Sequence, residues 1–191
     1  MSVSVNVAAA QLVLPGFADT VREALAATEL PAECLKLEVT EGIISADAAA
    51  AVVTLTELAR LGVTLLIDDF GTGHSSLSYL HRFPISTVKI DQYFVGRMDT
   101  SDECREIVRT IVGLAHALDM DVVAEGVETP KQVDMLRALG SEYVQGYLLS
   151  RPLPAGGLEA MLLEEPVLTP TDSGRSAAGA EWAGLLAARR M

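Results

Sequence analysis

Six short runs of branched residues alternate with longer segments of helical periodicity, and this alternation limits the fold more than any other feature of the chain. The runs are Val3–Val7, Leu35–Val39, Val63–Ile67, Thr87–Ile90, Asp121–Ala124 and Tyr143–Gln145. Helical patterns cover Phe17–Thr28, Ala48–Leu61, Ser76–Phe83, Glu103–Leu118, Pro130–Leu139 and Ala155–Leu163. Thr129 before Pro130 reads as a cap and first turn, and Gly62 and Gly140 stand where helices end. Serial β-α units predict an α/β fold with a parallel sheet and helical crossovers.

A closed (β/α) barrel has eight such units. Six units therefore predict an incomplete TIM-like barrel. An open doubly wound sheet would want a glycine-rich phosphate turn after its first strand. Here Val3–Val7 is followed by Ala8-Ala9-Ala10. Residues 1–164 read as one domain. The pattern stops at Glu165, so residues 165–191 are expected to be a disordered tail, with Trp182, Leu185 and Leu186 suggesting a short helix.

The chain has 191 residues and a net charge of −12. That charge argues against binding duplex nucleic acid, whose affinity comes largely from phosphate neutralisation. A small phosphate-bearing ligand stays open if metal ions supply the positive charge. Cys34 and Cys104 fit no metal spacing and read as small apolar residues in a reduced, cytoplasmic setting. No apolar run reaches the roughly 18 residues that would cross a membrane, and the first residues do not resemble a signal peptide. A longer, membrane-tethered parent protein remains compatible with these features.

Each of the six runs ends in a hydrogen-bonding or ionisable residue: Asn6, Glu38, Asp68 with Asp69, Lys89 with Asp91, Glu125 and Gln145. In a (β/α) barrel the C-terminal strand ends share one mouth, where active sites sit. Asn6, Glu38 and Asp68 offer the oxygen donors that hard divalent cations take, and Asp69 adds a second carboxylate. Such a set suits two metal ions clamping a phosphoryl transfer. Lys89 would hold a phosphate or the attacking water, and Glu125 would take a proton.

Other readings stand beside this one. A single carboxylate at a strand end is commonly a turn or cap residue. Asp68-Asp69-Phe70-Gly71 alone fits a Walker B end or a kinase Asp-Phe-Gly, but the companion motifs of both are missing from the sequence. Lys89 as a Schiff-base lysine leaves the carboxylates unexplained. His74, His81 and His116 show no metal-ligand spacing and read as surface or packing residues.

The segment Asp68-Asp69-Phe70-Gly71-Thr72-Gly73-His74-Ser75-Ser76-Leu77 resembles the DDFGTGYSSL segment of EAL domains. Val123–Thr129 resembles the AEGVET segment of the family, and Glu38-Val39-Thr40-Glu41 its ELTE. Lys89-Ile90-Asp91 resembles KID, Ser4-Val5-Asn6 resembles SVN, and Gln145-Gly146-Tyr147 with Ser150-Arg151-Pro152-Leu153 resembles the closing segment. The likeness runs over about residues 2–163, in order. It implies a cyclic di-GMP phosphodiesterase that opens its substrate to linear pGpG with two Mg2+ or Mn2+ ions. The alternative is a non-catalytic cyclic di-GMP receptor or regulatory module.

The resemblance also assigns roles. Asn6, Glu38 and Asp68 would bind metal, Asp69 a second metal, and Asp91 would support that site. Lys89 and Glu125 would position and deprotonate the water. Gln145 would contact substrate or water, and Glu128 would shape the mouth. Glu41 would anchor a lid loop of Phe70, Gly71, Thr72, Gly73, His74, Ser75 and Ser76, through which a homodimer would couple. An upstream sensor or GGDEF domain is a further expected partner. His74 replaces the usual tyrosine, and Gly42 replaces a common Ser or Thr, which is expected to loosen the anchor. The Glu-x-Leu-x-Arg strand of the family is expected before Asn6. Glu23-Ala24-Leu25 does not supply it, because it lies in a helical pattern and has Ala27 at the arginine position. The sequence thus reads as an EAL domain without its first two strands, from a longer protein or a late-assigned start.

Overall fold

The computed structural model describes residues 2–42, 48–73, 80 and 82–163. Six strands form one sheet: β1 (Val3–Val7), β2 (Leu35–Thr40), β3 (Thr64–Phe70), β4 (Thr87–Ile90), β5 (Asp121–Ala124) and β6 (Tyr143–Val144). Their spatial order follows the chain, and every pairing is parallel. The helices are α1 (Ala9–Leu12), α2 (Phe17–Thr28), α3 (Ala48–Arg60), α4 (Gln92–Val95), α5 (Asp102–Ala117), α6 (Pro130–Leu139) and α7 (Ala155–Leu163). This is the expected α/β barrel-like sheet, incomplete relative to the eight-stranded barrel. Among the described residues, β1 and β6 are its two edges.

Strand pleating divides the side chains between two faces. Leu37, Val39, Leu65, Ile67, Val88, Ile90, Val122 and Ala124 are each at most 3% exposed and join the main hydrophobic cluster with the helices. The alternate residues Lys36, Glu38, Leu66, Lys89 and Val123 line a cavity on the other face. Leu66 and Val123 are buried yet lie outside the main cluster. The helix-facing side is thus the core, and the opposite side is free to carry polar groups.

The helices form where the periodicity predicts. In α5, Cys104, Val108, Ile111, Val112 and Ala115 make one buried stripe, and Ser101 caps the first turn by accepting from the Cys104 N–H. In α6, Thr129 and Gln132 form a capping box with Pro130 at the first turn. The sequence reading missed α1, α4 and a 3-10 turn at Ala32–Cys34, elements too short for periodicity to declare. The expected helix Ser76–Phe83 and the tail 165–191 lie largely or wholly outside the described residues, as does His81. Both cysteines are free thiols.

Four strand ends differ from expectation. β2 runs to Thr40 and β3 begins at Thr64, each one residue later than expected. β3 continues through Asp68 and Asp69 to Phe70, and β6 stops at Val144. The register between β3 and β4 shifts after Ile67–Val88 and resumes at Phe70–Ile90, and Asp69 takes φ 55°. A bulge of this kind inserts an extra residue opposite its partner strand. It places two carboxylates beside Lys89 and still returns Phe70, 5% exposed, to the core.

At the opposite end of the sheet, Glu142 accepts from the Val122 N–H at 2.8 Å and meets His116 Nε2 at 2.9 Å. Asp121 stands beside this pair. Burial, then repulsion from Glu142, raises its pKa, against attraction from Lys36 and His116.

Leu55 on α3 is 0% exposed, and Leu55→Ala is expected to cost about 3 kcal/mol by lost transfer energy and cavity formation. The urea midpoint should fall without a change in slope. Asp121→Asn gives a pH-dependent effect. A carboxyl with a raised folded-state pKa destabilises the fold once ionised, so the penalty appears as pH rises from 3.8 through the raised value. Asparagine removes that penalty. Solvent screening keeps the gain small, a Tm increase of about 1 °C at pH 7, absent below the ordinary aspartate pKa.

Candidate active site

Lys89 is the hub of the C-terminal rim of the sheet. Its ammonium reaches Glu38 Oε2 at 2.5 Å, Glu125 Oε1 at 2.7 Å and Asp68 Oδ1 at 2.9 Å. These partners come from β2, from the residue after β5, and from β3. The Lys89 side chain is 6% exposed, and those of Glu38, Asp68 and Glu125 are 9%, 14% and 16% exposed. Neighbouring parallel strands set their ends side by side, so residues separated by long stretches of sequence arrive within hydrogen-bond reach.

The electrostatics follow from this crowding. Burial acts to lower the Lys89 pKa, but the hydrogen bonds it donates to Glu125, Glu38 and Asp68 outweigh it and hold the ammonium above its ordinary value. Burial, with the Asp68 and Glu38 charges, raises Glu125 against the opposing pull of Lys89. Asp69 is raised by burial, by repulsion from Asp68 and Asp91, and by a hydrogen bond with Asp91. Asp91 itself caps α4, with Oδ1 accepting from the Tyr93 N–H at 2.7 Å. One ammonium thus faces Glu38, Asp68 and Glu125, with Asp69 and Asp91 close behind.

Such an excess of carboxylate oxygen fits cations. Asp68, Asp69 and Glu125 each offer an oxygen, all within 4.8 Å of one another. Hard divalent ions take such donors. Asn6 is exposed on β1 and paired in register with Glu38. Gln145 follows β6, donates its N–H to Ala124 O at 2.8 Å, and lines the cavity that contains Glu38 and Lys89.

The loop after β3 is tied to the end of β2. Glu41, 5% exposed, accepts from the Gly71 N–H at 3.0 Å and the Gly73 N–H at 3.2 Å through Oε2. Thr72 Oγ1 donates to Asp69 O at 2.9 Å. At Gly71, φ is 100° and a Cβ would come within 3.0 Å of the Phe94 ring, so glycine is required there. Phe70 belongs to β3 and the core rather than to this loop. His74, Ser75 and Ser76 lie outside the described residues.

Glu128 is exposed, and its backbone N–H donates to Gln132 Oε1 at 2.8 Å. The sequence reading gave no role to Gln132 or to Gly146, which hold the loop after Glu125. Gln132 also accepts from the Thr129 N–H, at 3.0 Å. A Cβ on Gly146 would lie 2.2 Å from Val127 O, so two backbone segments pack directly there. The spacing Thr129-x-x-Gln132 was the available signal.

Removal of the hub is expected to cost more than removal of a spoke. Lys89→Met leaves the buried Glu38 and the partly buried Asp68 and Glu125 uncompensated and should lower stability by about 3 kcal/mol in urea titrations with chelator present. Glu125→Gln should cost less than half as much, because Lys89 keeps two carboxylates. Equal losses would contradict the hub arrangement.

The EAL domain family model matches residues 1–152. The chain is 45% identical over 162 residues to the cyclic di-GMP phosphodiesterase NbdA of Pseudomonas aeruginosa, covering 85% of this chain and 21% of the relative. It thus spans about a fifth of the length of that protein. Among solved structures, the PaMucR phosphodiesterase in complex with c-di-GMP superposes with a TM-score of 0.78 at 44% identity, covering 82% of this chain and 64% of that one. The EAL domain of Mycobacterium smegmatis DcpA gives 0.80 at 37% identity, covering 84% and 72%. A family match over most of the chain, on a sheet whose ends gather the residues described above, shows that this protein belongs to the EAL domain family.

Proposed function

We propose that this chain carries the hydrolytic site of a cyclic di-GMP phosphodiesterase, which opens the cyclic dinucleotide to linear pGpG with two divalent cations, Mg2+ or Mn2+. The observation that carries the reading is the joining of Glu38, Asp68 and Glu125 through Lys89, with Asp69 within ligand distance of two of them. Asn6, Glu38, Asp68 and Asp69 would hold the cations, with Asp91 supporting Asp69. Bound divalent cations would polarise the phosphodiester and neutralise its charge.

The other roles belong to the chain itself. Glu125 accepts the proton of the attacking water, and burial makes its carboxylate more basic than an ordinary glutamate. Lys89 orients that carboxylate and places a positive charge beside the reacting phosphate. Water oxygen bonds to phosphorus as Glu125 takes its proton, the ester bond to the ribose oxygen breaks, and that oxygen takes a proton from solvent and leaves as a hydroxyl. Gln145 positions substrate or water from the cavity wall, and Glu128 borders the mouth. Glu41 holds the loop from Gly71 as a lid, with homodimer coupling through the same region. The site would serve a cytoplasmic signalling protein with an upstream sensor or GGDEF domain. Retention of Lys89, Glu125 and the other site positions from Asn6 onward supports hydrolysis over a receptor role.

The test is hydrolysis of cyclic di-GMP with Mg2+, followed by chromatography of pGpG, in the chain and in any longer protein containing it. Glu125→Gln should reduce turnover by about 100-fold or more, and chelator should abolish it. Absence of turnover in both forms would reject the proposal, as would full activity in Glu125→Gln.

A further inference from the structure

The backbone from Glu125 to Thr129 carries the proposed base at one end and enters α6 at the other. Its first half is held by other backbone. The Glu125 N–H donates to Ile90 O at 3.1 Å, the Val127 N–H donates to Gln145 O at 3.0 Å, and Val127 O accepts from the Leu148 N–H at 3.0 Å. Its second half is held by a side chain. Gln132 Oε1 accepts from the Glu128 N–H at 2.8 Å and from the Thr129 N–H at 3.0 Å. Gln132 is 3% exposed, so little water competes for these two donors.

Helix capping explains one of the two bonds and not the other. In a capping box, the side chain at the third helical position accepts from the N–H of the cap residue, and the cap hydroxyl accepts in return. Thr129 is that cap, and its Oγ1 accepts from the Gln132 N–H at 3.2 Å. Glu128 stands one residue before the cap, outside the helix, and its N–H is not among the donors that the helix leaves unsatisfied. It nevertheless makes the shorter bond. Gln132 therefore fastens the rim loop as well as the helix, at a point three residues after Glu125.

We infer that Gln132 is a positioning residue for hydrolysis: its grip on the Glu128 N–H fixes the turn from Glu125 to Glu128, keeping Glu125 against Lys89 and Glu128 at the mouth. The inference deepens the phosphodiesterase reading and rests on it for the role of Glu125. Misplacement of a reacting group by about 1 Å costs on the order of 100-fold in rate. A loosened turn that still visits the correct geometry should cost about tenfold.

Three variants separate this role from capping. Gln132→Met keeps the volume and removes the acceptor. Thr129→Ala removes the cap hydroxyl and leaves both bonds to Gln132 Oε1 in place. Gln132→Glu keeps an oxygen acceptor there. Gln132→Asn, one methylene shorter, is a milder form of the first variant if Gln132→Met does not fold. Urea midpoints and far-UV circular dichroism identify the folded variants, and Gln132→Met and Thr129→Ala should both lower the midpoint.

The readout that needs no turnover is NMR of the isotopically labelled 191-residue chain, following the Glu125 Cδ and Lys89 Nζ resonances. Gln132→Met should shift both, Thr129→Ala should leave both in place, and Gln132→Glu should return them toward the wild-type positions. In cyclic di-GMP hydrolysis, Gln132→Met should lower kcat about tenfold with KM changed less than about twofold. Thr129→Ala should keep kcat within about twofold, and Gln132→Glu should recover most of the loss. Unmoved Glu125 and Lys89 resonances in Gln132→Met or Gln132→Asn would overturn the inference. Equal effects of Gln132→Met and Thr129→Ala would overturn it as well, because capping alone would then account for them. The expected resonance shifts in a wild-type background that never hydrolyses cyclic di-GMP would reject the phosphodiesterase reading alone and support the positioning of Glu125 by Gln132.

Discussion

The meeting of one buried ammonium with three carboxylates organises everything else at the rim. Lys89 is held by Glu38, Asp68 and Glu125 at 2.5–2.9 Å, each from a different part of the chain. Carboxylates this close repel one another, and burial removes the water that would screen them. The lysine makes the cluster tolerable in the folded protein. The arrangement is also incomplete, because Asp69 and Asp91 add negative charge that it does not neutralise. Metal binding fits that imbalance.

The polar rim depends on an apolar scaffold. Leu37, Ile67, Val88 and Val122 fix four neighbouring strands against the helices, each at most 3% exposed. Their register sets which side chains stand abreast: Asn6 beside Glu38, and Lys89 beside Val123. The loops are held by equally specific means. Glu41 draws in the backbone after β3, and Gln132 draws in the backbone after Glu125.

Much of this was legible in the sequence, and the reasons are physical. The strand runs gave β1, β4 and β5 to the residue, because a buried parallel strand leaves a continuous branched pattern. The polar residue ending each run announced the rim, since sheet geometry brings those ends together. The bulge at Asp68–Asp69 was not legible, because no propensity distinguishes two aspartates inside a strand end from two after it. Nor was the burial of Phe70, which reads as a loop residue until the register shift returns it to the core.

The bulge has a consequence for how such a site can change. The rim carboxylates and the hydrophobic core share a single backbone segment, with Phe70 one residue beyond Asp69. Loss or gain of one residue there would not simply resize the rim. It would swing the phenylalanine to the wrong side of the sheet and swap polar for greasy surface on both faces. Chemistry and foldability are therefore inherited together at this point, so drift in length is penalised twice, while the loops on either side remain freer to diversify.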